Sequence, residues 1–535
     1  MFDRDGGATG RVRMPRGRHF AVTWSIPEDY GGMTAALLAR SSSFARLGGV
    51  EVQVLTLDAC PDTPALEARL RDRGAIADGV RIMNLVEWLR SNPLPGGSLR
   101  LDRDAFTPLA EGEADEMLHR DDGRVIARVR RDDGGRLLQI DHLRDDGSLV
   151  LSDRRDTRRR GEPGGRSLVL CDASGAPVRS WRRAWPLYTA WLDALTASTP
   201  SYMIVDSKTI APFMLGYRRS HVITAHVVHA SHRAGRGAEH PVRASRREVF
   251  EHLDDFDLVA LLSQRQAAEV AELVGTHEHL AVIPNARPPR EAHAAMRGQR
   301  HGSTPRPVGA GVVLASLTPR KRVSDAIAAV TAAQRDASGP VTLDVYGDGE
   351  EREVLAHRAS EAPGVELHGF ATDARRQLAT RSFLLLTSRS EGFPLVLVEA
   401  MAAGCIPIAY DIRYGPADLI RHGRNGLLVP SGDVEALTDA IGSLQRMPPR
   451  KVAAMRRAAV RSARAFDERR VVATWARELS WARARRDLRR SHRVPRLRAA
   501  LHRVPFGHRL RRIAVRAQAA VGRFARSAPR SRRSR

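Results

Sequence analysis

Short, wholly apolar runs recur along this chain, and they constrain its fold more than any other feature. Phe383-Leu-Leu-Leu-Thr-Ser388 places four hydrophobic residues in a row with no alternation. A strand wetted on one face alternates apolar and polar residues, so an unbroken run reads as a strand buried on both faces, that is, a parallel strand covered by helices. Leu395, Val398, Met401 and Ala402 then recur at helical spacing until Gly404, a natural helix stop. The unit is strand, loop, helix. Runs of the same kind at 19–26, 50–57, 202–206, 221–229, 256–262 and 280–285 form one series, and those at 311–317, 341–347, 365–369 and 383–388 form a second. The expected fold class is α/β, with two Rossmann-like domains.

At 535 residues the chain is long enough for several full cores. No apolar run approaches the roughly 20 residues that span a bilayer. The first residues, Met1-Phe-Asp-Arg-Asp-Gly-Gly, lack the apolar core of a secretory signal. Cys60, Cys171 and Cys405 are few and scattered, which suggests small core residues rather than a disulfide framework or a zinc site. A cytoplasmic location is expected. The net charge of +25 is concentrated at one end, since residues 481–535 hold 19 Arg and a single Asp. Leu510, Ile513, Ala517, Val521 and Phe524 form one helical stripe there, beside Arg509, Arg512, Arg516 and Arg523. An Arg-clad amphipathic helix suits an anionic membrane surface or a polyanionic polymer. With almost no aromatics for base stacking, nucleic acid is the least favoured partner.

Between 99 and 181 the pattern changes. Asp121-Asp-Gly123, Asp132-Asp-Gly134 and Asp145-Asp-Gly147 separate short runs such as Arg124-Val-Ile-Ala-Arg-Val-Arg130. Asp-Gly is a favoured centre of the type I′ hairpin turn, so this segment is expected to be an antiparallel sheet inserted in the first α/β domain. Its exposed strands suit pairing with another subunit. The expected organisation is a first α/β domain over 1–98 and 182–300, the β insertion over 99–181, a second α/β domain over 301–480 and an Arg-rich tail over 481–535. Residues 286–309, rich in Pro, Arg and Gly, read as an interdomain linker.

The chemistry is expected near the strand–loop–helix unit. Glu391 falls at the carboxyl end of its strand, where open α/β sheets bind ligands, and Glu399 lies inside the following helix, where it can accept hydrogen bonds from a ribose diol. Loop amides before a helix favour a phosphate or sugar hydroxyls. Gly31 and Gly32, before a helix expected to begin near Thr34, offer a second close backbone approach to an anion. His226, His229 and His232 are three apart, and a strand points such residues to opposite faces, so no metal site is expected from them.

The Glu391–Glu399 segment resembles the E-x7-E signature of retaining glycosyltransferase family 4. The likeness extends through Cys405-Ile-Pro-Ile-Ala-Tyr410, the Tyr414-Gly-Pro416 turn, Asn425-Gly-Leu-Leu-Val-Pro430 and a helix capped near Ser431 or Asp433. The resemblance implies the GT-B architecture and transfer of glucose or N-acetylglucosamine from a UDP-sugar, with no cofactor beyond that donor. It implies that Glu391, with Gly392, Phe393, Pro394 and Leu395, holds the donor sugar and that Glu399 holds the ribose. Leu317-Thr-Pro-Arg-Lys-Arg322 resembles the diphosphate loop, where Lys321 matches the family lysine. Ser316 stands at the family arginine position, and Arg320 or Arg322 is the substitute. The β-rich insertion and the His229-Ala-Ser-His232 pattern resemble the subgroup that glycosylates teichoic acids or serine-rich surface proteins. By that likeness His229 and His232 line the cleft, the acceptor is an anionic glycopolymer and the insertion supports a homo-oligomer. Two alternatives stay open: a UDP-sugar epimerase of the same fold, and a binding or scaffold protein without catalysis.

Overall fold

The computed structural model describes residues 11–59, 62–100, 106–233, 241–275, 278–287, 309–335, 339–371 and 373–490. Most of the expected linker and the stripe at 510–524 lie outside them, as does Cys60. The chain divides into two compact units, one comprising Met1–His226, Asp254–Leu258 and Ala476–Arg535, the other Val227–Leu253 and Val259–Trp475.

The first series of apolar runs forms parallel strands. β1 (Arg18–Val22), β2 (Val52–Thr56) and β3 (Val80–Asn84) open the series. An insertion follows as β4 (Glu116–His119), β5 (Val125–Arg131), β6 (Leu137–Leu143), β7 (Leu149–Arg154), β8 (Ser167–Cys171) and β9 (Pro177–Trp181). β10 (Ser201–Val205), β11 (Val222–Val228), β12 (Leu258–Leu261) and β13 (Leu280–Val282) complete it. The parallel sheet has the order β13-β12-β11-β10-β1-β2-β3. The six inserted strands pair in simple sequence order as an antiparallel meander within the crossover from β3 to β10.

The meander corrects one expectation. A type I′ turn needs φ > 0 at both central residues. Here Gly123, Gly135 and Gly147 take φ of 86°, 77° and 84°, while the residues before them, Asp122, Gly134 and Asp146, do not enter that region. In each loop the glycine amide donates back three residues, Gly123 N to Arg120 O, Gly135 N to Asp132 O and Gly147 N to Arg144 O. This is the longer hairpin loop, a turn followed by one left-handed glycine that forms a bulge. Side-chain oxygens explain the choice: Asp122, Asp132 and Asp146 accept the amides of Arg124, Gly134 and Ser148 at 3.1, 3.0 and 2.8 Å, which favours a right-handed turn at the aspartate. Asp172 through Ala176 repeats the arrangement at a fourth hairpin, with Gly175 at φ 81°.

The second unit holds β14 (Ala310–Leu314), β15 (Thr342–Tyr346), β16 (Val365–Gly369), β17 (Phe383–Leu386), β18 (Ile406–Asp411) and β19 (Leu427–Pro430). Their order, β16-β15-β14-β17-β18-β19, is all parallel. Counted from β14 it runs 3-2-1-4-5-6, the doubly wound dinucleotide-binding order, whose switch point lies between β14 and β17. Val313, Leu343, Val345, Phe383, Leu385, Ile406 and Ile408 point into one core with helices Val323–Ala333 and Val434–Arg446. Gly311 makes that packing possible, since a Cβ there would meet the Phe383 ring at 2.4 Å. The cap at Asp433 is realised, its side chain accepting from Ala436 N at 2.8 Å. Phe466 ends the 3-10 turn Arg464–Phe466, because Asp467 takes extended backbone (φ −58°, ψ 134°) before helix Glu468–Arg490 begins. No helix among the described residues is long and apolar enough to cross a membrane.

Candidate functional site

Two loops leave the carboxyl ends of β14 and β17, the strands that flank the switch point. The first carries Ser316 through Arg322 and the second Thr387 through Pro394. Hydrogen bonds zip them together within the second unit. Arg389 N donates to Arg320 O at 2.8 Å, Arg320 Nη1 to Ser390 O at 2.9 Å and Thr387 Oγ1 to Lys321 O at 3.0 Å. The charged groups meet at the same place: Lys321 Nζ lies 2.5 Å from Glu391 Oε1, with side chains 16% and 11% exposed, and Arg320 Nη1 lies 3.5 Å from that oxygen. Charge-assisted pairing at this depth fixes both side chains. Arg322 takes the left-handed conformation at φ 48°, just before helix Val323–Ala333, and its guanidinium approaches Asp325 at 3.9 Å. Ser316 is exposed, its carbonyl accepting from Thr318 N at 3.0 Å.

The second loop ends in helix Leu395–Ala402, which begins after Pro394. Gly392 packs so tightly on the end of β11 that a Cβ would lie 1.7 Å from His229 O. Phe393 is buried and stacks at a tilt on Phe466, centroids 5.5 Å apart. Pro394 lies against Gly415, whose φ of 100° no other residue adopts cheaply. Glu399, about one turn into that helix and 7% exposed, is gripped by Arg375, whose Nε donates to both carboxylate oxygens at 3.0 Å. The Tyr346-Gly-Asp-Gly349 turn closes on the first loop, since Leu317 N donates to Asp348 O at 2.8 Å and a Cβ at Gly347 would strike Ala315 O.

The histidines have separate surroundings. His226 stacks on Phe256 with Nδ1 3.0 Å from Val205 O. His229 is half-buried at the end of β11, where its carbonyl faces Gly392. His232 is fully buried between the rings of Phe250 and Tyr414, at 5.3 and 5.8 Å. Burial lowers its pKa to about 4, with Arg233 and Arg413 acting in the same direction. Its Nδ1 lies 3.3 Å from the Tyr414 hydroxyl, which donates to Glu269 at 2.7 Å, and its Nε2 is buried without a hydrogen-bond partner. Burial pushes the Tyr414 hydroxyl up, and the Glu269 carboxylate adds to that. Burial alone would raise Glu269, but bonds from Tyr414 and Arg413 hold it below the usual carboxylate range.

The structure therefore brings Lys321, Arg320, Glu391, Gly392 and the His229 backbone together, with Glu399 on the adjoining helix. Gly31 and Gly32 belong to the first unit, at the exposed start of helix Gly32–Ser43. Arg375, Glu269, Arg413 and Tyr414 were not singled out in the sequence, because their partners are 24 to 182 positions away and no spacing marks them. Asp344, Glu366 and His368 also cluster, but His368 Nε2 bonds Asp344 at 3.0 Å and Arg381 takes the other Asp344 oxygen, which makes an ion-pair network.

Residues 310–446 match the family model described as glycosyl transferases group 1. An exopolysaccharide phosphotransferase of Streptomyces coelicolor is 38% identical over 196 residues, 35% of this chain and 19% of that protein. A poly(ribitol-phosphate) alpha-N-acetylglucosaminyltransferase of Staphylococcus aureus is 24% identical over 252 residues, 46% of this chain and 48% of that one. The chain thus spans less than half the length of these curated relatives. The structure of S. aureus TarM in complex with fondaparinux, alpha-GlcNAc-glycerol and UDP shares the fold, with a TM-score of 0.62 and 17% identity over 87% of this chain and 100% of that one. Residues 310–446 are a group 1 glycosyl transferase domain, set in a chain of GT-B fold.

Proposed function

We propose that this protein is a retaining glycosyltransferase that moves glucose or N-acetylglucosamine from a UDP-sugar to a polyol-phosphate or related cell-surface glycopolymer. One observation carries the reading: Lys321 and Glu391 meet at the switch point of a 3-2-1-4-5-6 sheet, inside the matched domain. The relative named for poly(ribitol-phosphate) and the TarM complex with UDP and alpha-GlcNAc-glycerol support the substrate class.

In this reading Lys321 and Arg320 face the donor diphosphate. Glu391 and the backbone of Gly392, Phe393, Pro394 and Leu395 hold the sugar, and Glu399 with Arg375 positions the ribose. Arg322 supplies a further anion contact, Gly31 and Gly32 offer one within the first unit, His229 flanks the reacting sugar and His232 supports Tyr414. Departure of a nucleoside diphosphate builds negative charge on its oxygens. Lys321, Arg320 and the amides before helix Leu395–Ala402 meet that charge, so the reading calls for no resident metal. Dependence on a UDP-sugar sets the enzyme in the cytoplasm. Residues 481–535 bring it to an anionic surface and the meander joins subunits.

The test is release of UDP from UDP-glucose and UDP-N-acetylglucosamine with poly(glycerol phosphate) or poly(ribitol phosphate) added, with and without a chelator. Acceptor-dependent release that is abolished in folded Glu391→Ala and Glu399→Ala variants supports the proposal and rules out an epimerase. A protein that binds UDP yet turns over nothing would favour the non-catalytic reading, which Ser316 motivates.

A further inference from the structure

An arginine pocket lies wholly within the first unit. Ala482, Arg485, Arg486 and Arg489 fall on one face of helix Glu468–Arg490, spaced by three, four and seven positions. With Arg218, Arg219 and Asp257 they line a cavity of about 220 Å³. Five arginines thus line one concavity with one aspartate, Asp257, while Asp193 and Asp255 outside the lining pair with Arg219 and Arg218.

The pocket is built rather than incidental. Arg485 and Arg486 are each 9% exposed. Arg486 Nε pairs with Asp257 Oδ1 at 3.0 Å and its Nη1 donates to Arg219 O at 2.9 Å, while Arg485 Nη2 donates to Asp257 O at 3.0 Å. Arg219 is held from behind by both oxygens of Asp193, at 2.7 and 2.8 Å. These partners fix the direction of the inner guanidinium groups. Arg489 is exposed, and Arg218 is 43% exposed and lies 3.8 Å from Asp255. Burial holds nearby His221 below its ordinary value; Asp193 opposes the shift, and Arg483, Arg219 and Arg486 add to it.

Concentrating like charges in a low-dielectric hollow is costly unless an anion joins them. Planar five-donor forks arriving from a helix face and from the Arg218–Arg219 turn can grip the several oxygens of a phosphate from two sides. We propose that this pocket binds a phosphate group, carried either by a phospholipid headgroup or by a soluble phosphate. Arg485, Arg486 and Arg219 form its floor, and Arg218 and Arg489 close on the ligand from the rim.

The experiment uses the full chain and an Arg218→Ala/Arg489→Ala double variant, whose exposed positions leave the floor intact; circular dichroism checks its fold. One arm titrates inorganic pyrophosphate at constant chloride-balanced ionic strength and follows the thermal midpoint. The other floats the protein with vesicles of phosphatidylcholine containing or lacking phosphatidylglycerol. Because residues 491–535 are present in every variant, the difference between variants reads the pocket. Both proteins are also compared in a Lys321→Ala background, so that pyrophosphate bound at the proposed donor diphosphate loop does not contribute to the response. The expected result is a saturable response to pyrophosphate, to phosphatidylglycerol or to both, with an apparent Kd raised at least tenfold in the double variant. Partial recovery is expected in Arg218→Lys/Arg489→Lys. Response in the first arm identifies soluble phosphate as a ligand and response confined to the second identifies the headgroup. No response in either arm, or equal responses in wild type and double variant, would overturn the proposal.

Discussion

Replacing Gly392 by alanine tests whether the loop that carries Glu391 is held in place by backbone contact. The added Cβ would sit 1.7 Å from His229 O, 2.6 Å from its carbonyl carbon and 3.3 Å from Ala230 Cα. All three are main-chain atoms, so no flexible side chain can yield. Carbon atoms attract best at roughly 3.5 Å, which means the loop and the end of β11 must part by more than about 1 Å. Overpacking of this kind costs about 1–3 kcal/mol. The displaced atoms adjoin Glu391, whose partner Lys321 is 2.5 Å away, so the pair opens as the loop moves. A misplacement of about 1 Å costs on the order of 100-fold in rate when it falls on reacting groups. The expectation is a fall in kcat of about that size in a UDP-release assay, with a thermal midpoint lower by only a few degrees. Gly216→Ala, exposed and with nothing within 4 Å of its Cβ, is the control and should leave both unchanged. Wild-type turnover by Gly392→Ala would refute the argument that this contact positions the site.

Lys321→Ala should lower kcat/KM for UDP release by about 10²–10³ through loss of charge stabilisation at the leaving group, and unchanged release would remove Lys321 from the reaction. Arg375→Ala should weaken UDP binding by roughly tenfold in a titration while changing stability by less than about 1 kcal/mol, because Arg375 is 63% exposed although its partner Glu399 is buried. His232 is neutral in the folded chain down to pH about 4, whereas its ordinary value is 6.5, so between those limits the unfolded chain binds more protons and stability rises with pH. His232→Phe should therefore flatten the pH dependence of denaturant unfolding between pH 4.5 and 6.5, by up to about 3 kcal/mol across that interval; an unchanged slope would contradict the buried neutral ring. Gly123→Ala should cost about 1 kcal/mol because of its positive φ, whereas Asp122→Gly should gain nothing, the reverse of what a type I′ turn would give.

The apolar runs located the strands because a strand buried on both faces leaves a local mark that needs no knowledge of its partners. Residues 383–386, 342–346 and 310–314 were legible for that reason, and the stop at Gly404, with φ 72°, was legible from the helical spacing before it. The inserted meander was legible from its repeated Asp-Gly steps, but the turn type was not. A type I′ turn and a bulged turn both end on a glycine with positive φ, and they differ in whether the preceding residue follows it. In Asp132-Asp-Gly-Gly135 the left-handed residue is Gly135, not Gly134, and the deciding factor is the Asp132 side chain accepting from its own loop.

The site divides along the same line. Glu391 could be read because it follows a strand, and Lys321 through the resemblance of its loop; the topology then carries both strands to one switch point, where the side chains meet. What surrounds them could not be read, because it depends on register between distant segments. His232 looked like a cleft residue from its spacing to His229, yet its environment is set by Tyr414, 182 positions later, and by Phe250 on a separate helix. Gly392 gives the general reason. Its smallness records how closely another backbone passes, and which backbone that is, β11 at His229, emerges only from the folded chain. The eight-residue spacing of the two acids thus holds half of the site's geometry. The other half is supplied by a glycine that lets the loop reach its seat and by two cations, Lys321 and Arg375, which arrive from different parts of the sheet to fix one carboxylate each.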